Sequence, residues 1–142
     1  MKKNKLFILI TVMLLSVSCN AQSNKKQPSN KVVSNNIEVY YFHYERRCAT
    51  CLAVEAESKK AVETLYPEQV KSGKISFESL DFTQDASASA IQKAKAEGQS
   101  LLIISGNNRI DLTDVAFMYA RNNPEKLKAE IKKTIDTLLN LK

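Results

Sequence analysis

A strand-forming run that hands over to a helix at a Cys-x-x-Cys is the feature that most restricts this chain. Ile37-Glu38-Val39-Tyr40-Tyr41-Phe42 is β-branched and aromatic, the composition of a strand. His43 to Arg47 form a short connection. A helix then starts near Cys48, with Cys51, Val54, Ala61, Val62 and Leu65 on one apolar stripe. Pro67 and Gly73 are expected to end it. Lys74 to Phe82 reads as a second strand, with Ile75, Phe77, Leu80 and Phe82 not confined to one face. That pattern suits a strand covered by helices on both sides. Two strands joined by a crossover helix are parallel, with a right-handed connection.

The remaining segments extend this unit. Ser87 to Glu97, rich in Ala, Lys and Gln, predicts a helix ending at Gly98. Leu101 to Ile104 is a fully apolar strand, Gly106-Asn107-Asn108 a turn signal, and Arg109 to Leu112 the return strand of a hairpin. A helical segment spans about Asp114 to Arg121. Asn123 caps a last helix, with Pro124 at its first position and Leu127, Ile131, Ile135, Leu138 and Leu139 on its buried face. The expected class is α/β, in the order β-α-β-α-β-β-α. It gives a mixed four-stranded sheet with helices on both faces over residues 36–142. That length builds a core without disulfides.

Residues 1–18 read as a signal peptide. Lys2, Lys3 and Lys5 precede the apolar run Leu6 to Val17, which is shorter than the roughly 20 residues of a membrane span. The run ends at Ser16-Val17-Ser18-Cys19, which resembles a lipobox whose Cys19 becomes a lipidated first residue. Ser16 stands where Leu is usual, and cleavage after Ala21 would instead discard Cys19. Residues 19–35, polar and containing Pro28, read as a flexible tether. The expected location is therefore periplasmic, with membrane contact through a lipid on Cys19. Losing three Lys and no acid lowers the net charge from +6 to +3. No clustered basic face appears, so nucleic acid is not an expected partner.

Cys48-Ala49-Thr50-Cys51 sits where a strand ends and a helix begins. Unpaired N–H groups and the helix dipole favour negative charge there, which lowers the pKa of the first thiol. Arg46 and Arg47 add two positive charges. Cys48 is therefore the expected nucleophile. Cys51, one turn in on the apolar stripe, is the expected resolving cysteine. A Cys-x-x-Cys after the first strand of a βαβ unit marks a thioredoxin-like redox motif. The plain alternative is a structural disulfide, yet so short a loop adds little stability.

The order of elements and the position of the pair resemble the thioredoxin fold in its minimal form. Tyr41 to Cys51, with Ser79-Leu80-Asp81-Phe82 and Gly98-Gln99-Ser100-Leu101, more closely resembles a bacterial family of small exported thioredoxin-like proteins. That family carries the name nitrophenyl compound nitroreductase subunit ArsF and is linked by name to arsenic-resistance gene clusters. The resemblance implies thiol–disulfide exchange or electron transfer. The chain departs from thioredoxin itself. Arg47, Ala49 and Thr50 replace Trp, Gly and Pro, and Phe42 stands where counting places a buried Asp. Gln99-Ser100 replace the cis-Pro that faces the disulfide and keeps metal from the dithiol.

Two functions follow as expectations. One is an exported oxidoreductase or electron-transfer subunit, exchanging with a thiol or disulfide partner protein such as a reductase subunit. The other is a dithiol module that binds Cu(I) or As(III). No Gly-rich phosphate loop appears, so no organic cofactor is expected. His43, the only histidine, is either a third soft-metal ligand or a strand-end residue with a structural hydrogen bond. Arg47 orients a substrate, stabilises the thiolate or is a solvated charge. Glu45 is a candidate partner for either Arg. Asp81 is a proton relay or a loop cap.

Overall fold

The computed structural model describes residues 36–140. The expected signal peptide (1–18), tether (19–35) and lipid site at Cys19 lie outside the described residues. The elements are β1 (Ile37–His43), α1 (Ala49–Leu65), α2 (Pro67–Lys71), β2 (Ile75–Asp81) and a 3-10 turn (Asp85–Ser87). They continue with α3 (Ala88–Ala94), β3 (Ser100–Ser105), β4 (Asn108–Asp111), α4 (Thr113–Tyr119) and α5 (Pro124–Asn140).

The strand order is β2-β1-β3-β4. β1 and β2 are parallel, β3 runs antiparallel to β1, and β4 antiparallel to β3. Alternation along β1 and β3 explains why β3 reads as an unbroken apolar run and β1 is interrupted only by Glu38 before its end. Ile37, Val39, Tyr41, Leu101 and Ile103 pack with Val54, Val62, Leu127, Ile131 and Ile135 from α1 and α5. Tyr40, Phe42, Leu102 and Ile104 pack with Ala94 and Ile91 from α3 on the other face. Each strand is thus buried twice, as a sheet between helices demands. The expected α/β class, mixed sheet and two-sided cover are all present, in a thioredoxin-like arrangement.

Several boundaries differ from the sequence reading. α1 ends at Leu65, just ahead of Pro67 as expected, and Pro67 then opens the short α2, where its missing N–H costs nothing. The break falls at Tyr66, with φ −133°. Its hydroxyl donates to Asp136 Oδ1 at 2.7 Å and so pins the end of α1 to α5. α3 stops at Ala94, short of Gly98, because Lys95 adopts the left-handed conformation at φ 50°. Ala96 N–H donates to Ile91 O and Lys95 N–H to Gln92 O, the two bonds of a Schellman ending. Ala96 is buried against the α3 side of the sheet, which draws the chain inward there.

The hairpin has two loop residues, since Ser105 already pairs with Asn108. Gly106 supplies the positive φ of 59° that the tight turn needs. α5 begins as expected: Lys126 N–H donates to the Asn123 side-chain oxygen at 3.2 Å. Leu127, Ile131, Ile135 and Leu138 are its buried stripe. No helix among the described residues is long and apolar enough to cross a membrane.

Candidate functional site

β1 ends at His43, and five loop residues bring the chain to α1 with Cys48 as its N-cap. Cys48 holds the extended backbone of a cap, φ −80° and ψ 164°. Its Sγ accepts the Cys51 N–H at 3.1 Å, the bond that Ser or Asp oxygen makes at other helix starts. Leu52 N–H donates to Cys48 O at 3.0 Å and closes the first helical turn. The two cysteines are joined as a disulfide, with Cα atoms 5.0 Å apart. The pair is asymmetric: Cys48 is exposed, whereas Cys51 keeps only 5% of its surface.

The disulfide lies at the end of the sheet where β1 finishes and β3 starts, since Phe42 pairs with Ser100. The two loops touch there: a Cβ added at Gly98 would sit 3.2 Å from the Tyr44 hydroxyl. Tyr44 and Leu52, both largely exposed, offer apolar surface beside Cys48. A cleft of about 600 Å³ opens at the same end, lined by Glu97, Gly98, Gln99, Ser100 and residues of β4 and α4.

The sheet side of the site is polar. Arg47 turns under α1, places its guanidinium 5.8 Å from the Tyr41 ring centre and pairs with Glu55. It is not the solvated charge that was one expectation. Glu45 is not its partner either, because the α1 register places Glu55 there instead. Tyr41 Oη accepts from Gln99 Nε2 at 2.9 Å, tying β1 to the loop before β3. Burial pushes the Tyr41 phenol above its ordinary pKa. Burial also acts to raise the Glu55 carboxyl. The Ser79 hydroxyl beside it and the Arg47 guanidinium outweigh burial and hold it below the usual carboxylate value.

Phe42 is buried on the α3 side with Tyr40 and Leu102. Counting from Cys48 therefore points to the wrong face: on the α1 side the end of β1 presents Tyr41 and His43. His43 Nδ1 lies 3.0 Å from Tyr44 O, the structural hydrogen bond that was one of its two readings. Among the described residues no three His, Cys, Asp or Glu side chains converge to hold a metal. Asp81 is a loop cap: its Oδ1 accepts from Thr83 N–H at 2.9 Å and from Thr83 Oγ1 at 2.7 Å. These two bonds lower its pKa.

Glu55, and the role of Gln99 as the partner of Tyr41, were missed. Glu55 carried a signal, because it stands four residues after Cys51 and so on the same helical face. Gln99 was marked only by its place opposite the disulfide, because its bond to Tyr41 depends on the loop path before β3. No family model matches the sequence, and no curated protein matches it significantly.

Proposed function

We propose that the protein is an exported thiol–disulfide exchange or electron-transfer domain, lipid-anchored at Cys19 and working through Cys48 and Cys51. Reduction of the disulfide leaves Cys48 as the thiolate, favoured by the helix N-terminus and by the Cys51 N–H that its sulfur already accepts. That thiolate attacks a partner disulfide and forms a mixed disulfide. Cys51 then attacks Cys48 Sγ, closes the intramolecular bond and releases the partner thiol.

The observation that carries this reading is the asymmetry of the pair, one sulfur open to a partner and the other one turn deeper on the same helix. Apolar surface at Tyr44 and Leu52 suits a protein partner. The resemblance to the exported thioredoxin-like family supports the same role.

The test is turnover of a model disulfide such as insulin with an external dithiol as electron source. We expect catalysis by the wild-type chain and none by Cys48→Ser. Tight Cu(I) or As(III) binding with no such turnover would instead establish the metal-binding module.

A further inference from the structure

Arg47 is an unusual neighbour for a redox-active disulfide. Its side chain is only 20% exposed, and its Nε–H is buried without an acceptor among the described residues. Its other contacts are Glu55 and the face of Tyr41. A buried donor without a partner is a standing cost that any new acceptor within reach removes. Arg47 immediately precedes Cys48, and Glu55 lies one turn beyond Cys51. Side chains four apart on a helix stand about 5–6 Å apart at Cβ. Helical side chains also lean toward the N-terminus. The guanidinium therefore lies against the second turn of α1, next to the turn that carries both sulfurs.

We propose that Arg47 is a positioning residue whose charge is shared between Glu55 and the Cys48 thiolate, so that this ion pair sets the redox balance of the dithiol. The proposal rests on the thiol-exchange reading. With the disulfide closed there is no anion at sulfur, and Glu55 alone holds the guanidinium. An external dithiol gives two electrons, becomes a disulfide and breaks the Cys48–Cys51 bond. One of its two protons goes to Cys51 and the other to solvent, leaving Cys48 as thiolate. That thiolate adds a negative charge on the residue next to Arg47, whose Nε–H has no acceptor among the described residues in the oxidised form. Glu55 works against it by holding part of the same charge.

The other charged or titratable groups at this end of the sheet are Tyr41 and His43 from β1, Asp81 from β2, Tyr44, Glu45 and Arg46 from the loop, and the exposed Glu97 and Asp114 at the cleft. Asp81 is turned into its own loop by Thr83, and Glu45 and Arg46 are exposed.

The test reads the Cys48 thiol pKa from thiolate absorbance, and the reduction equilibrium against glutathione, in the full chain. Arg47→Met removes the cation. It should raise the thiol pKa by about one unit and shift the equilibrium about tenfold toward disulfide, about 30 mV. Glu55→Gln frees the cation, so both quantities should move the opposite way. Arg47→Lys keeps a charge and should stay closer to wild type than Arg47→Met. Both Arg47→Met and Glu55→Gln break the same ion pair, so a merely structural role moves them in one direction. Same-sign shifts, or none, overturn the proposal. If Arg47→Met does not fold, Glu55→Gln alone decides, and a thiol pKa that rises or stays unchanged overturns it. A wild-type pair that titrates reversibly while the variants fail to diverge sinks only this inference. A wild-type pair that cannot be reduced sinks the exchange reading with it.

Discussion

Replacing Cys51 by Ser should turn the protein into a trap for its own partner. Cys48 remains exposed at the N-cap, with the same backbone donor on its sulfur. It can still attack a disulfide, but nothing remains to release the product. The mixed disulfide then accumulates from a trace to the main form of the chain. On a non-reducing gel it should appear as a larger species that collapses on reduction, and turnover should be lost. The fold should survive. A bridge across so short a loop contributes little by chain entropy, and one buried hydroxyl costs about 1–3 kcal/mol. Cys48→Ser should give no adduct, because the buried Cys51 is out of reach of a partner. Equal trapping by both variants would contradict the assignment of roles.

Ile103→Ala should destabilise the domain severely. Ile103 is fully buried at the middle of β3, paired with Val39 on one side and Ile110 on the other. It belongs to the cluster beneath α1 and α5, which holds Val54, Ile131 and Ile135. Removing its outer carbons leaves a cavity that the flanking strands cannot close. The expected loss is about 2–5 kcal/mol, and the melting temperature should fall by about 10–30 °C. Met118→Ala is the control. Met118 is 59% exposed, so the change should stay within about 0.5 kcal/mol. Chemical denaturation read by circular dichroism separates the two. The reduction equilibrium of the folded Ile103→Ala fraction should match wild type, since the packing positions α1 without touching the sulfurs.

What could be read in the residues, and what could not, divides by the range of the interaction. The β1 run, the turn at Gly106 and the α5 stripe declare themselves because strand composition, glycine freedom and helical spacing are local. The cysteine pair was legible for the same reason, as its place depends only on where a strand stops and a helix starts. The end of α3 was not. Lys95 takes a left-handed conformation normally held by Gly, and the inward pull on Ala96 that fixes it comes from another part of the chain. Pro67 marked the stop of α1 but hid α2, because proline fits a helix start as well as a stop. The Arg47–Glu55 pair spans eight residues and depends on how α1 is rotated over the sheet. Phe42 shows the same limit. Its distance from Cys48 in sequence was plain, but a strand alternates faces, and its side chain belongs to the α3 side.

Thiol–disulfide exchange requires that Cys48 and Cys51 form a reversible two-electron couple. Equilibration of the full chain across a series of glutathione redox buffers tests it most directly, with the free thiols counted after alkylation. A single transition is expected, in which both thiols vanish together at a potential within reach of glutathione. The slope should be that of two electrons, a tenfold change in equilibrium constant for about 30 mV. A pair that stays oxidised across the whole series would mark a structural disulfide and rule out the exchange reaction.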